Sequence, residues 1–90
     1  MVTNLRTERR IVENLVIDKE LDLKGEVCPY TFVKSKLAIE EMASGSILRV
    51  IVNYLPATKN VPRSMEHEGN KVLKVAPING SDWEIIIQKE

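Results

Sequence analysis

The order of elements along this chain predicts an α/β protein of the α+β kind, a two-layer sandwich with two helices on one face of a four-stranded mixed sheet. Three observations carry that prediction. Leu21 and Leu23 alternate with Asp22 and Lys24, then give way across Gly25-Glu26-Val27-Cys28-Pro29 to a stretch of helical periodicity. Ile47 to Asn53 is almost continuously apolar and rich in β-branched residues, the composition of a central strand. Asn79-Gly80 separates two further apolar runs, Val72 to Ile78 and Trp83 to Lys89, which therefore pair as a hairpin. A chain of 90 residues holds one such core and no second.

Taken in order, residues 1–17 form an N-terminal arm added to a domain that spans 18–90. Asn4 could cap a helix carrying Leu5, Val12, Leu15 and Val16 on one face, and Ile11 to Ile17 could equally run extended. The first strand of the sheet covers Leu21 to Lys24. The first helix should start near Pro29 and reach about Met42, because proline fits a first helical turn, where its missing N–H has no intrahelical partner. Phe32, Ser35, Ala38, Ile39, Met42 and Ala43 share an arc that should face the sheet. Tyr30, Val33 and Leu37 make a second apolar stripe, for which cover within the molecule is the simpler expectation. Ser44-Gly45 closes this helix. A second helix should begin around Asn60 to Pro62 and stop before Gly69-Asn70. In the last strand Trp83, Ile85 and Ile87 share a face. The Asn79-Gly80 pair suits a type I′ turn, whose two central residues need positive φ. If the first two strands of the sheet are parallel neighbours, the helix between them must make a right-handed crossover.

Composition removes several classes of function. Thirteen basic and thirteen acidic residues cancel, which argues against a nucleic-acid binder that works through bulk positive charge. One cysteine leaves no intrachain disulfide and no cysteine-rich zinc site. No apolar run approaches the roughly 20 residues of a membrane span. Met1 to Arg10 is polar with three arginines and lacks the apolar core of a secretory signal. The expectation is a soluble protein in a reducing cytoplasm, without cofactor or metal.

The chemistry concentrates at Cys28. A cysteine at the N-cap, directly before Pro29, faces unpaired backbone N–H groups and the positive end of the helix dipole. That setting favours thiolate over thiol and lowers the sulfur's pKa, with Glu26 opposing by like-charge repulsion. Gly25 lets the loop bring the sulfur forward, and Tyr30 and Thr31 help shape its surroundings. Lys34, Lys36, Lys59 and Arg63 could line one end near the cysteine and meet an acidic partner, or simply form a solvated charged face. Inert packing of the thiol is the plainer alternative. His67 is the sole histidine, distant in sequence and expected on the surface of the second helix rather than paired with the cysteine. No glycine cluster forms a phosphate-cradling loop. Trp83 is expected to pack in the core.

The run Leu21-Asp22-Leu23-Lys24-Gly25-Glu26-Val27-Cys28-Pro29 resembles the opening of the TusA/SirA-like sulfur-carrier family. The similarity continues through Lys34, Lys36, Ala38 and Ile39. It returns at Pro56-Ala57, at Asn60-Val61-Pro62-Arg63 and at Gly69 with Val72, so that it covers about Asp18 to Lys89. The resemblance implies that Cys28 accepts sulfur as a persulfide and passes it between donor and acceptor proteins, with no general base or metal. Two positions depart from the family pattern. Thr31 stands where a second proline is usual, and Asn60 where aspartate is usual, which bears on the choice of partner. Two other readings stay open on the residues alone: an interaction module with an incidental thiol, and a redox-sensing thiol, the latter weakened by the lack of a resolving cysteine.

Overall fold

A computed structural model of the chain describes residues 10–12, 15–27 and 30–90. Its elements in chain order are β1 (Arg10–Val12), β2 (Leu15–Ile17), β3 (Lys19–Asp22), α1 (Tyr30–Glu40), β4 (Ile47–Val52), α2 (Ala57–His67), β5 (Lys71–Pro77) and β6 (Trp83–Gln88). β3, β4, β6 and β5, in that order, form the mixed sheet. β3 runs parallel to β4, and the other neighbours are antiparallel. The expected two-layer sandwich is the observed fold.

Period-two alternation explains the two faces of the sheet. Leu48, Val50 and Val52 of β4 lie opposite Ile87, Ile85 and Trp83 of β6, and together they meet Ala38 and Ile39 of α1 and Ala57, Val61 and Met65 of α2. Ile47, Arg49 and Glu84 point the other way. There Ile17, from the extended arm, is buried with Ile47 and Ile86, and Leu73 packs beside them. Leu73 is the extra residue of an irregularity between Val72 and Lys74 in β5. Asp18 ties the arm to β4, since its N–H donates to the Ile47 carbonyl and its carboxylate accepts the Ile47 N–H, both at 2.9 Å.

The open face also carries an ion cluster. Arg49 donates to Glu84 at 2.7 Å and to Glu20, and Lys74 lies 3.2 Å from Glu84. Burial alone would raise the Glu84 pKa. The hydrogen bonds from Arg49 and Lys74 outweigh it and hold the carboxyl below the ordinary glutamate range.

Several expectations need correction. The first sheet strand lies earlier than Leu21 to Lys24, because Lys24 and Gly25 turn away from the sheet. α1 stops at Glu40, where Glu41 and Met42 donate three residues back, to Ala38 and Ile39, and tighten the end. Its buried set is Thr31, Ser35, Ala38 and Ile39, with Phe32 and Met42 half-buried and Ala43 exposed. The buried Ser35 hydroxyl is satisfied by donating to the Thr31 carbonyl at 2.7 Å. α2 begins at Ala57 rather than near Asn60, because Pro56 (φ −58°) supplies the helical φ and its carbonyl accepts the Asn60 N–H. Pro62 consequently sits inside the helix. α2 ends in a glycine cap, with Gly69 at φ +98° and the Asn70 N–H donating to the Met65 carbonyl at 3.0 Å. The β5–β6 connection is not a two-residue type I′ turn. The Asn79 side-chain oxygen accepts the N–H groups of Ser81 and Asp82, a longer loop forms, and Gly80 lies outside the positive-φ region.

The N-terminal arm takes the extended alternative over 10–12 and 15–17, as an antiparallel pair. The possible helix cap at Asn4, with Leu5, lies outside the described residues.

Candidate functional site

The loop leaving β3 is built by one turn and one staple. The Leu23 N–H donates to the Ile51 carbonyl at 2.8 Å, which prolongs the parallel pairing and buries Leu23. The chain then turns, with the Glu26 N–H donating back to the Leu23 carbonyl at 3.0 Å. Gly25 is the third residue of that turn and has φ +92°, a value a residue with a side chain adopts only with strain. A Cβ there would meet open space, so the backbone angle alone calls for glycine. The Gly25 N–H donates to Asn53 Oδ1 at 2.9 Å. Asn53 directly follows β4, so its side chain ties together the loops leaving two neighbouring parallel strands. The Lys24 N–H donates to Asp22 Oδ1 at 3.0 Å, and this backbone bond, aided by the Lys24 charge, holds the Asp22 carboxyl below its usual range.

α1 opens with the N–H groups of Tyr30 and Thr31 both donating to the Val27 carbonyl, at 2.8 and 3.3 Å. Its first turn carries no acidic residue. Cys28 and Pro29, expected at the N-cap and in the first turn, lie outside the described residues. Of the residues expected to shape their surroundings, Tyr30 is exposed, whereas Thr31 is fully buried.

The four expected partner-binding cations divide into two pairs. Lys34 lies 2.8 Å from Glu26, so the carboxylate expected to oppose a thiolate is neutralised by its neighbour one turn into the helix. Lys36 lies 3.5 Å from Glu68 and sits 6.0 Å from the centre of the Phe32 ring. Lys59 and Arg63, both exposed on α2, make no ion pair among the described residues. Arg63 joins Phe32, Ser64, His67 and Glu68 around a cleft of about 310 Å³ between the helices. His67 is exposed on α2 as expected, and it lines this cleft.

Apolar residues are exposed along α1. Tyr30, Val33 and Leu37 are 57%, 42% and 57% exposed, so among the described residues the second stripe lacks the expected cover. Val27 and Leu55, in the two loops that Asn53 joins, are exposed as well. Sequence reasoning missed Asn53, Val27 and Leu55. An asparagine after a strand carries no mark of its partner 28 residues away, and an exposed valine or leucine looks like any core residue.

The comparisons with known proteins decide the family. The model of the family described as "Sulfurtransferase TusA" matches residues 19–89. The chain belongs to the TusA family. A relative from Archaeoglobus fulgidus, named "Putative sulfur carrier protein", is 48% identical over 85 residues, which cover 94% of this chain and 93% of the relative. A protein of the same name from Thermotoga maritima is 35% identical over 72 residues, 80% of this chain and 91% of its own. The crystal structure of a SirA-like protein from Desulfitobacterium hafniense superposes with a TM-score of 0.72. At 23% identity, over 80% of this chain and 99% of the other, that likeness concerns the fold. The TusA match begins at Lys19, the first residue of β3.

Proposed function

We propose that this protein is a sulfur carrier that holds sulfur as a persulfide on Cys28 and relays it from a donor protein to an acceptor protein. The observation that carries the reading is membership of the TusA family, with relatives named as sulfur carriers, in a chain whose single thiol is Cys28. The loop supports it in physical terms. Gly25 and Asn53 fix the approach to the helix, Glu26 is neutralised by Lys34, and no acid stands in the first turn of α1. A thiolate at Cys28 would therefore meet little opposing charge from these groups.

The transfer balances without an external oxidant. The Cys28 thiolate attacks the outer sulfur of a donor persulfide, a new S–S bond forms on Cys28, and the donor's S–S bond breaks to leave a donor thiolate. The second half-reaction passes that outer sulfur to the acceptor and returns Cys28 as thiolate. Pro29 would fix the start of α1 in this scheme. Exposed Val27, Tyr30, Val33, Leu37 and Leu55 would give partners an apolar landing surface, with Lys34, Lys36, Lys59 and Arg63 turned towards acidic groups. A free thiol has to stay reduced between transfers, which suits a cytoplasmic setting.

Intact-mass spectrometry after incubation with a cysteine desulfurase and cysteine tests the reading. The expected result is a gain of one sulfur atom, reversed by reductant and absent in Cys28→Ser. Unchanged mass in the wild type, together with partner binding retained in Cys28→Ser, would instead establish an interaction module. The uncovered stripe on α1 is the observation that favours that second reading.

A further inference from the structure

The transfer steps written for Cys28 assign no role to Phe32, Ser64 or His67, which line the cleft between α1 and α2. Arg63 and His67 are four residues apart on α2 and so stand one above the other along the helix, with the Ser64 hydroxyl beside them. Glu68 is the one lining group that would repel an anion, and Lys36 pairs with it at 3.5 Å. Arg63 has no such partner among the described residues. The wall contributed by α1 is the ring of Phe32, which is half-buried and packs against the main core. Ala57, Val61 and Met65 fix α2 on the sheet, so the helix that carries Arg63 and His67 is held in place before anything binds.

We propose that this cleft binds a small organic anion, with its charged head on Arg63 and His67 and its apolar body against Phe32. A guanidinium takes a carboxylate, sulfonate or phosphate through two parallel N–H bonds, and the Ser64 hydroxyl can add a third donor. An inorganic ion would leave the Phe32 wall unused, and a cation would face Arg63. The volume of about 310 Å³ lies at the small end of ligand sites, which fits a compact molecule rather than a nucleotide. The test of this site requires no sulfur transfer.

The test is an amide chemical-shift titration of the full chain with benzoate, acetate and inorganic phosphate at one ionic strength. Benzoate should give saturable shifts centred on Phe32, Ser64 and His67, with acetate and phosphate binding more weakly at the same place. Arg63→Gln, an exposed change whose folding circular dichroism can verify, should weaken benzoate about tenfold. Lys71→Gln, on β5, should leave its affinity unchanged. The proposal is overturned if benzoate gives no saturable shift, if the three anions behave alike, if Arg63→Gln binds as the wild type does, or if Lys71→Gln loses as much.

Discussion

α1 and α2 are both eleven residues long and cover the same face of the sheet, yet their composition is nearly inverted. α2 buries Ala57, Val61 and Met65 at successive intervals of four and shows solvent Lys59, Asn60, Arg63, Glu66 and His67. α1 buries the small or polar Thr31, Ser35 and Ala38 along with Ile39, and keeps the larger Tyr30, Val33 and Leu37 outside. Folding explains the first arrangement. It does not explain the second, since a helix chosen for stability alone would bury its large apolar residues. α2 is a packing helix with a cleft on its flank, and α1 is a packing helix that leaves its larger apolar residues on the outer face.

The largest expected effect tests the packing half of that contrast. Met65→Ala should destabilise by about 2–5 kcal/mol, because it removes a fully buried side chain from the centre of the α2 contact. Urea denaturation measures it. A cost near zero would mean that α2 is not anchored as described, and the contrast with α1 would collapse.

The two faces of the sheet extend the comparison, and Glu84 is the place to probe them. Glu84→Gln should cost about 1–3 kcal/mol at neutral pH, discounted for the partial exposure of Glu20 and Lys74. The pH dependence has a definite sign. The folded pKa of Glu84 is depressed, so its contribution is complete above the unfolded value of about 4.3 and is lost as pH falls through the lower folded value. The gap between wild type and Glu84→Gln should therefore close on acidification, because both then carry a neutral side chain. Denaturation midpoints followed from pH 7 down through the carboxylate range would show the gap narrowing; a constant gap would mean that the variant acts through shape rather than charge.

What the sequence could reveal divides along similar lines. The two-layer class, the central strand and much of the helix-facing core were legible because period-two and period-3.6 patterns report burial directly, as at Ile47 to Asn53 and at Trp83, Ile85 and Ile87. α2 starts ahead of the expected Asn60 to Pro62 because a proline reads as a helix opener, although Ala57, Val61 and Met65 already mark one face. Asn79-Gly80 misled for a related reason, since the Asn79 side chain could close its own turn instead of serving a two-residue one. At the candidate site the pairing of residues was not legible. Neither the Glu26–Lys34 contact nor the Gly25–Asn53 staple follows from spacing, because both depend on how loops meet after the sheet has formed.

That staple gives a smaller prediction. Asn53→Ala removes the acceptor of the Gly25 N–H and should cost about 1 kcal/mol, while the Gly25 amide exchanges faster with solvent. Thermal unfolding and amide exchange measure the two parts separately. If Gly25 stays protected, the loop is held by the Glu26-to-Leu23 turn alone, and Asn53 does not position the approach to Cys28.

The smallest effect on stability carries the most information about α1. Leu37→Ser, singly and with Val33→Ser, should change unfolding free energy by no more than about 1 kcal/mol, since both side chains are already about half exposed. The same variants should leave sulfur loading from a small-molecule donor intact and slow transfer to or from a protein partner, because only the protein encounter needs the apolar stripe. Stability and transfer are thus expected to separate on α1 and to fall together on α2, where Met65→Ala weakens everything that depends on the fold. Destabilisation of α1 variants by more than about 1 kcal/mol would show that the stripe is covered in solution after all, and its role would be structural.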